Sequence, residues 1–521
     1  MKKIILILFT IIFTMNLFTA CWDGNGILGK NDEVVKETIT SKEISIPIEQ
    51  IRTLNPIIAK DEGVYYLNKL IYEGLFTLDN TMAPVGVLAE SYQYGKDDKS
   101  VTIKLKKGIL WQDGTKFSAK DVKFSIDAYL SIPNASKSFY HSYVSVIQSA
   151  KVINDTMVYI KFNDEKNMAI ENLTFPIIPS HKFKKIADVQ KDTNDFIPIG
   201  TGPYKVESME AGKQIILKGN PHYMGTIPDN TLIVKTMPGK QEAVNLLEIG
   251  EVNVSFLKET DRDTLINDKK VTVTSFPSNE MELLGFNFKH GALQDRKVRQ
   301  AIAYAIDNES IIETCYYNSG VLNDSVYYPN YLGIKSRKDL YDYNLDQAKL
   351  LLEQSGHEGL SLKLIFNGDD HARNLAAQMI KTGLEKIGIS VSLISLNWND
   401  YNAAVASGRF DLYIGGYRIK DTYDVRPILH SAYNNPIKYS NPILDNFLDR
   451  MQSAVTIEDK KKIYGNIHRI LGDEIPYYCL LYKTYGLATG NGVKGNIQPY
   501  FNNIYNGCDT WNFTYEKIEN K

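Results

Sequence analysis

The sequence predicts a mixed fold, α+β near its start and α/β towards its end, in a chain too long for one core. Three observations predict this. Strand alternation, turns and helix signals interleave between Val64 and Leu130, and strands and helices alternate regularly between residues 340 and 415. Roughly 480 residues follow the N-terminal segment, which calls for two or three lobes.

Met1-Lys2-Lys3 is basic, and Ile4 to Ala20 is an apolar run broken only by Thr and Asn. Basic, then apolar, then small is the layout of a secretory signal peptide. A permanent transmembrane anchor is the competing reading, because the run sits at the lower limit of a membrane span. Phe18-Thr19-Ala20-Cys21 resembles a bacterial lipobox, in which the Cys21 thiol takes a diacylglycerol and becomes the first mature residue. Phe18 departs from the usual Leu, and Leu17 lies one step earlier. An incidental Cys beside an ordinary cleavage site is the alternative. Acyl chains add roughly 0.8 kcal/mol per buried CH₂, enough to hold the chain at a membrane surface. From Trp22 to about Glu43 there is no sustained periodicity, which reads as a flexible tether.

In the first region Val101, Ile103 and Leu105 share one strand face, and Lys107-Gly108 and Asp113-Gly114 supply turns. Ser118 precedes a helical stripe of Val122, Ile126, Tyr129 and Leu130, with Asp121 at the acidic position of a capping box. In the later region Asn344 can cap a helix carrying Leu345, Ala348, Leu351 and Leu352, with Gly356 at its end. Leu360 to Phe366 alternates as a strand. A second helix carries Leu375, Met379, Ile380, Leu384 and Ile387 and stops at Gly388; Ile389, Val391 and Leu393 alternate again. A short helix around Tyr401 to Ala406 leads to a strand at Phe410–Tyr413. This order favours a three-layer lobe with a mainly parallel sheet, whose ligands sit beyond the carboxyl ends of the strands. The loop Gly415 to Pro427 lies there.

The formal charge of −2 becomes −4 when the two lysines of the basic start are removed. Nucleic acid is not expected as a partner, since phosphate binding needs a basic excess. Beyond Cys21 there remain Cys315, Cys479 and Cys508, with no CxxC. Buried free thiols are the default, with one disulfide open and its pairing undetermined.

Short blocks then accumulate in order: Leu54-Asn55-Pro56, Ile71-Tyr72-Glu73-Gly74-Leu75, Leu88-Ala89-Glu90-Ser91-Tyr92, Lys107 to Gly114 and Ala119 to Val122. Gly200-Thr201-Gly202-Pro203-Tyr204, Asn220-Pro221-His222-Tyr223, Asp295 to Ala301 and Tyr343 to Gly356 follow. Together they resemble the family 5 extracellular solute-binding proteins, the oligopeptide, dipeptide and nickel receptors of ABC importers, from about Ile44 to Asn496. Most of these blocks have structural explanations. Val298, Ala301, Ile302, Ala305 and Ile306 form a packed stripe behind an Asp295 cap, and Gly200 and Gly202 suit a strained turn.

The resemblance implies a periplasmic-binding-protein type II clamshell, with two closing lobes joined by two crossing strands and an additional accessory lobe. The expected layout is a signal peptide at 1–20, the lipidated Cys21 and tether at 21–43, and lobe I at 44–75, 197–277 and 483–521. The accessory lobe II takes 76–196 and the α/β lobe III takes 278–482, with crossings near Phe276-Pro277 and Tyr482. It implies a monomeric, membrane-anchored receptor outside the cell membrane that hands peptides to an ABC permease, with no catalysis and no cofactor. The same role for a nickel or other metal chelate, or for an oligosaccharide, is the alternative. An exported hydrolase is the remote third reading.

In peptide-binding relatives a loop with an aromatic, an acid and a Pro reads the ligand's ammonium, because a charge-assisted bond in a dry cleft is strong. The matching segment runs from Gly415 to Asp424, with Tyr417 at the usual Trp position. Lys420 stands where the acid is expected, and Asp421 follows. With one residue inserted Asp421 is the ammonium anchor; without it Lys420 faces the cleft and the ligand is anionic or not a peptide. A solvated loop face accounts equally for both. Trp398 aligns with a Trp near ligand in such relatives, or is ordinary core. Asn435 and Tyr439 match a segment near the family's pocket, and some of the 33 tyrosines suit a cleft for varied solutes.

Other signals carry no chemistry. The GxGxxG strings at Gly24–Gly29 and Gly490–Gly495 lack the strand before and helix after that a dinucleotide site needs. The eight histidines come no closer than 14 residues apart, which leaves no local metal pair. His371 and His430 are the first candidates for contacting a metal chelate.

Overall fold

The computed structural model describes residues 34–520 except 50, 97, 134–137, 165–166, 192–195, 259–264, 266–268, 338–339, 421 and 455. The signal peptide, Cys21 and Asp421 therefore lie outside the described residues. Two compact units are distinguished, one of them spanning Thr40–Thr514. In the other, the chain from Val34 runs as a strand beside the C-terminal strand. The strand Val34–Ser41 occupies part of the stretch expected as a tether. Its Thr38 and Ile39 are β-branched and suit a pleat, and the neighbouring strand comes from the far end of the sequence.

The large unit opens with a four-stranded sheet in the order Glu43–Glu49, Thr231–Met237, Gln214–Gly219, Tyr204–Glu210. The first pair is parallel and the rest antiparallel. Ile44, Ile46 and Ile48 turn one face inward, as the period of two dictates. A second, antiparallel sheet orders Ala89–Tyr94, Ser100–Leu105, Met157–Phe162 and Ile147–Asn154. The helix Ala119–Leu130 packs beside it, burying Val122, Ile126 and Tyr129 and leaving Leu130 exposed. Its capping box forms: the Ser118 amide donates to Asp121 Oδ2 at 2.8 Å and the Lys120 amide to Ser118 Oγ at 3.3 Å. Such a cap contributes about 1 kcal/mol.

The third sheet runs Val254–Leu257, Tyr477–Gly490, Val271–Phe286, Leu412–Arg418, Ser361–Asn367, Ser390–Leu396, with Gly320–Val321 beside Tyr477–Gly490. Only the last three strands of that order pair in parallel. The two long strands join antiparallel, so the parallel sheet expected here is half of a mixed one. The long strands contain Phe276-Pro277 and Tyr482, and their register slips between Pro277 and Met281 and again between Glu282 and Leu283.

The helix caps follow the sequence. Asn344 Oδ1 accepts from the Gln347 amide at 2.9 Å, Asp295 Oδ1 from the Lys297 amide at 2.8 Å, and Gly356 and Gly388 sit at positive φ. Gly200 and Gly202 are not in the left-handed region. A Cβ on Gly200 would lie 1.8 Å from the Ile71 carbonyl oxygen, so these glycines serve close backbone approach and not a strained turn. Cys315, Cys479 and Cys508 are buried free thiols. Among the described residues no helix is long and apolar enough to cross a membrane.

Candidate functional site

Four neighbouring strands of the third sheet bring a line of polar side chains together beside the register slip of the two long strands. Lys258 follows Val254–Leu257, Tyr485 lies on Tyr477–Gly490, Glu280 on Val271–Phe286 and Arg418 ends Leu412–Arg418. Because these strands are adjacent in that order, the side chains meet in the same order. Lys258 Nζ donates to Glu62 Oε2 at 2.6 Å and lies 5.4 Å from the centre of the Tyr485 ring. The Tyr485 hydroxyl donates to Glu280 Oε1 at 2.7 Å, and Arg418, the register partner of Glu280, donates to the same oxygen. Burial raises the Glu280 carboxyl, but the bonds from Tyr485 and Arg418 outweigh it and hold the group below the usual range. Glu62 and Lys258 also line a cavity of about 220 Å³ with Ile48, Tyr66, Phe256 and Leu257. Its wall is mainly apolar, with Glu49 and Asp61 among its charged residues, a composition that suits a solute pocket.

Two residues along the same strand lies a second carboxylate. Glu282 is 1% exposed and receives both Nε and Nη2 of Arg373, at 2.9 and 3.0 Å. Lys483 Nζ lies 3.5 Å from it. Burial lowers the Arg373 guanidinium, yet the Glu282 charge outweighs it and raises the group above its ordinary value. Gly416 is the register partner of Glu282. A Cβ there would come within 2.6 Å of Arg373 Nη2 and 2.8 Å of Glu282 Oε1, so the glycine lets the exposed backbone lie directly on the ion pair.

Tyr417 is half-buried, its hydroxyl 3.1 Å from that of Tyr413 and its ring 6.4 Å from that of Tyr477. Trp398 is 53% exposed at the start of the helix Trp398–Ser407 and stacks on Tyr401 at 6.0 Å. The Tyr401 hydroxyl donates to the Ile414 carbonyl of the strand that carries Tyr417. Lys420 is exposed just beyond it.

Asn435 and Tyr439 stand apart from this group. Asn435 Nδ2 donates to the Tyr439 carbonyl at 2.8 Å, and the Tyr439 amide returns to Asn435 Oδ1 at 2.9 Å. The Tyr439 ring packs on Phe288 at 4.9 Å. The Asn435 side chain thus bonds within its own loop. His371 and His430 belong to no group of metal-binding residues among those described.

Glu62, Lys258, Glu280, Glu282, Arg373, Arg418, Lys483 and Tyr485 were not singled out from sequence. One signal for some of them was present: Glu280, Glu282 and Lys483 are the charged residues of strands that otherwise carry no charge, and buried charges are kept only when paired.

Comparisons with known proteins identify the family and the fold. Residues 83–439 match the model of the bacterial extracellular solute-binding proteins, family 5, middle region. The oligopeptide-binding protein AppA of Bacillus subtilis is 25% identical over 492 residues, covering 88% of this chain and 89% of its own. The dipeptide-binding protein of Escherichia coli is 24% identical over 445 residues, covering 79% and 83%. The crystal structure of the ABC transporter substrate-binding protein CtaP of Listeria monocytogenes aligns with a TM-score of 0.68 at 22% identity, over 91% of this chain and 99% of that one. The fold is the type II periplasmic-binding fold of that family.

Proposed function

Since the chain belongs to the bacterial extracellular solute-binding proteins of family 5, we propose that it captures peptides outside the cell membrane and delivers them to an ABC importer, without altering them chemically. The observation that carries this reading is the row Glu62, Lys258, Tyr485, Glu280 and Arg418. It sets paired charges of both signs beside an apolar cavity at the crossing strands. A peptide's ammonium, carboxylate and apolar side chains find complementary groups there. Near full-length similarity to oligopeptide- and dipeptide-binding relatives supports the same reading.

In this reading the lobes at 44–75, 197–277 and 483–521 and at 278–482 close on the peptide by bending at the slipped register near Pro277 and Tyr482. The region 76–196 is the accessory lobe. Tyr417 and Trp398 supply aromatic surface, and Lys420 or Asp421 contacts a peptide end. Asn435 and Tyr439 hold the neighbouring loop. Cys21 carries the lipid that retains the monomeric receptor at the membrane, after removal of residues 1–20.

Native mass spectrometry of the purified chain, followed by calorimetry with a peptide library, tests the assignment. Co-purified peptides and micromolar or tighter binding are expected. Absence of peptide in both, with a metal chelate or sugar bound instead, overturns it. Palmitate labelling that survives Cys21→Ser overturns the anchor.

A further inference from the structure

A second cavity, of about 380 Å³, lies at the other end of the helix Glu62–Ile71. Glu62, Gly63 and Tyr66 of that helix face the cavity described above, whereas Asn68, Lys69 and Leu70 line this one. It continues into a neighbouring space of about 280 Å³ through shared walls at Glu73, Val87, Tyr223 and Gly225. Cavities that hold small ligands measure roughly 300–1,000 Å³, so this one is large enough.

Its lining is chemically specific. Asn68 is 0% exposed, and neither its Nδ2 nor its Oδ1 has a hydrogen-bond partner. A buried amide left so costs about 1–3 kcal/mol, and folded proteins rarely carry one that nothing satisfies. Tyr72, Phe76, Tyr204, Tyr223 and Tyr505 contribute aromatic surface around Glu73. Two ammonium groups stand on the walls, and the charge of Lys106 acts on Glu73. Lys69 Nζ donates to Asn502 Oδ1 at 2.8 Å and lies over the Tyr65 ring, and Lys106 Nζ donates to the Gly86 carbonyl at 3.2 Å. Glu73, whose carboxylate accepts from Thr201, and Asp509 are the acids among the aromatic walls, and tyrosine faces attract cations.

We propose that this cavity binds a small organic cation, its ammonium held by Glu73 among the tyrosine rings and an adjoining hydroxyl or amide group held by Asn68. The class is that of amino alcohols and amino amides. Burial pushes the Glu73 carboxyl up to about 7, against a Thr201 hydrogen bond and the Lys106 charge. An ammonium partner reverses that desolvation. The site is separate from the peptide reading, although Tyr505 lines both cavities.

Calorimetry of the purified chain with choline and with its neutral isostere 3,3-dimethylbutan-1-ol tests the proposal. Choline is expected to bind at least about tenfold tighter than the alcohol, an interval of about 1.4 kcal/mol. Choline keeps its charge at every pH, so its affinity reports the protein's own titration. Glu73 must be ionised, and affinity is expected to rise between pH 5.5 and 8. Lys69, Lys106, His222, Tyr223 and Asp509 also face this region, so Glu73→Gln is needed to assign the rise: it is expected to weaken choline about tenfold and flatten the profile. Tyr223→Ala, at the half-buried mouth, is a second variant expected to weaken choline, and circular dichroism checks that both variants fold. Equal affinity for choline and the alcohol, no binding of choline or ethanolamine at millimolar concentration, or full binding by folded Glu73→Gln overturns the proposal.

Discussion

Glu280 and Glu282 stand two residues apart on one strand and each accepts an arginine, yet their surroundings differ. The Arg418 side chain on Glu280 is 58% exposed, while the Arg373 side chain on Glu282 is 11% exposed and Glu282 is sealed. Glu280 lies beside the register slip of the two long strands, bonded to Tyr485, whose ring lies against Lys258. Glu282 lies under Gly416, with Lys483 closing the other side. An exposed pair can exchange one partner for a ligand at little cost, because water has already weakened it. A sealed pair cannot: removing either partner strands a charge in the interior. The same pairing is therefore architecture at Glu282, and at Glu280 it is open to the recognition role proposed above.

The largest expected effect breaks the sealed pair. Arg373→Ala should lower the unfolding free energy by about 3–5 kcal/mol in urea titration, since Glu282 is left without its bidentate donor. Pairing Arg373→Met with Glu282→Leu should recover most of that loss, because the cost lies in the orphaned charge. A single variant as stable as the parent would show that water reaches Glu282 and that the contrast with Glu280 is false.

Gly416→Ala comes next. The added methyl would meet Arg373 Nη2 and Glu282 Oε1 below 3 Å, so the pair or the strand must shift. Overpacking of this kind costs about 1–3 kcal/mol. Thermal unfolding measures it, and an unchanged midpoint would mean that the backbone does not need to lie so close.

Much of the scaffold was legible in the sequence. The capping box at Ser118, the caps Asn344 and Asp295 and the stops at Gly356 and Gly388 are local devices whose partners lie within four residues. For a site, the family resemblance pointed to Tyr417, Trp398 and the loop beyond, and to none of the charged row at the long strands. The Lys258–Glu62 pair spans 196 positions and the Tyr485–Glu280 bond 205. Such meetings depend on strand order and register, which no local pattern encodes. The same is true of Asn435, whose residue type fits a pocket as well as the loop it holds closed.

Arg418→Ala sharpens the comparison from the exposed side. Stability should change by no more than about 1 kcal/mol, as for other solvent-accessible pairs. Peptide affinity in calorimetry should fall about tenfold, because Glu280 loses the group that orients it. Equal affinity would place the peptide away from this row, while a large loss of stability would make Arg418 an architectural residue like Arg373.

The smallest effect is a pH dependence confined to Glu280. Its carboxyl is held below the usual range in the folded chain. A group depressed in this way stabilises fully above its unfolded value, about 4.3, and the contribution is lost as pH falls through the lower folded value. Urea titrations of the parent and of Glu280→Gln at pH 7 should therefore differ in the parent's favour, by under about 1 kcal/mol for so accessible a pair. The difference should shrink towards pH 3 as the parent's carboxyl takes up its proton. A difference that is the same at both pH values would mean that Glu280 contributes through shape and neutral hydrogen bonding alone, and the contrast between the two carboxylates would then rest on burial without charge.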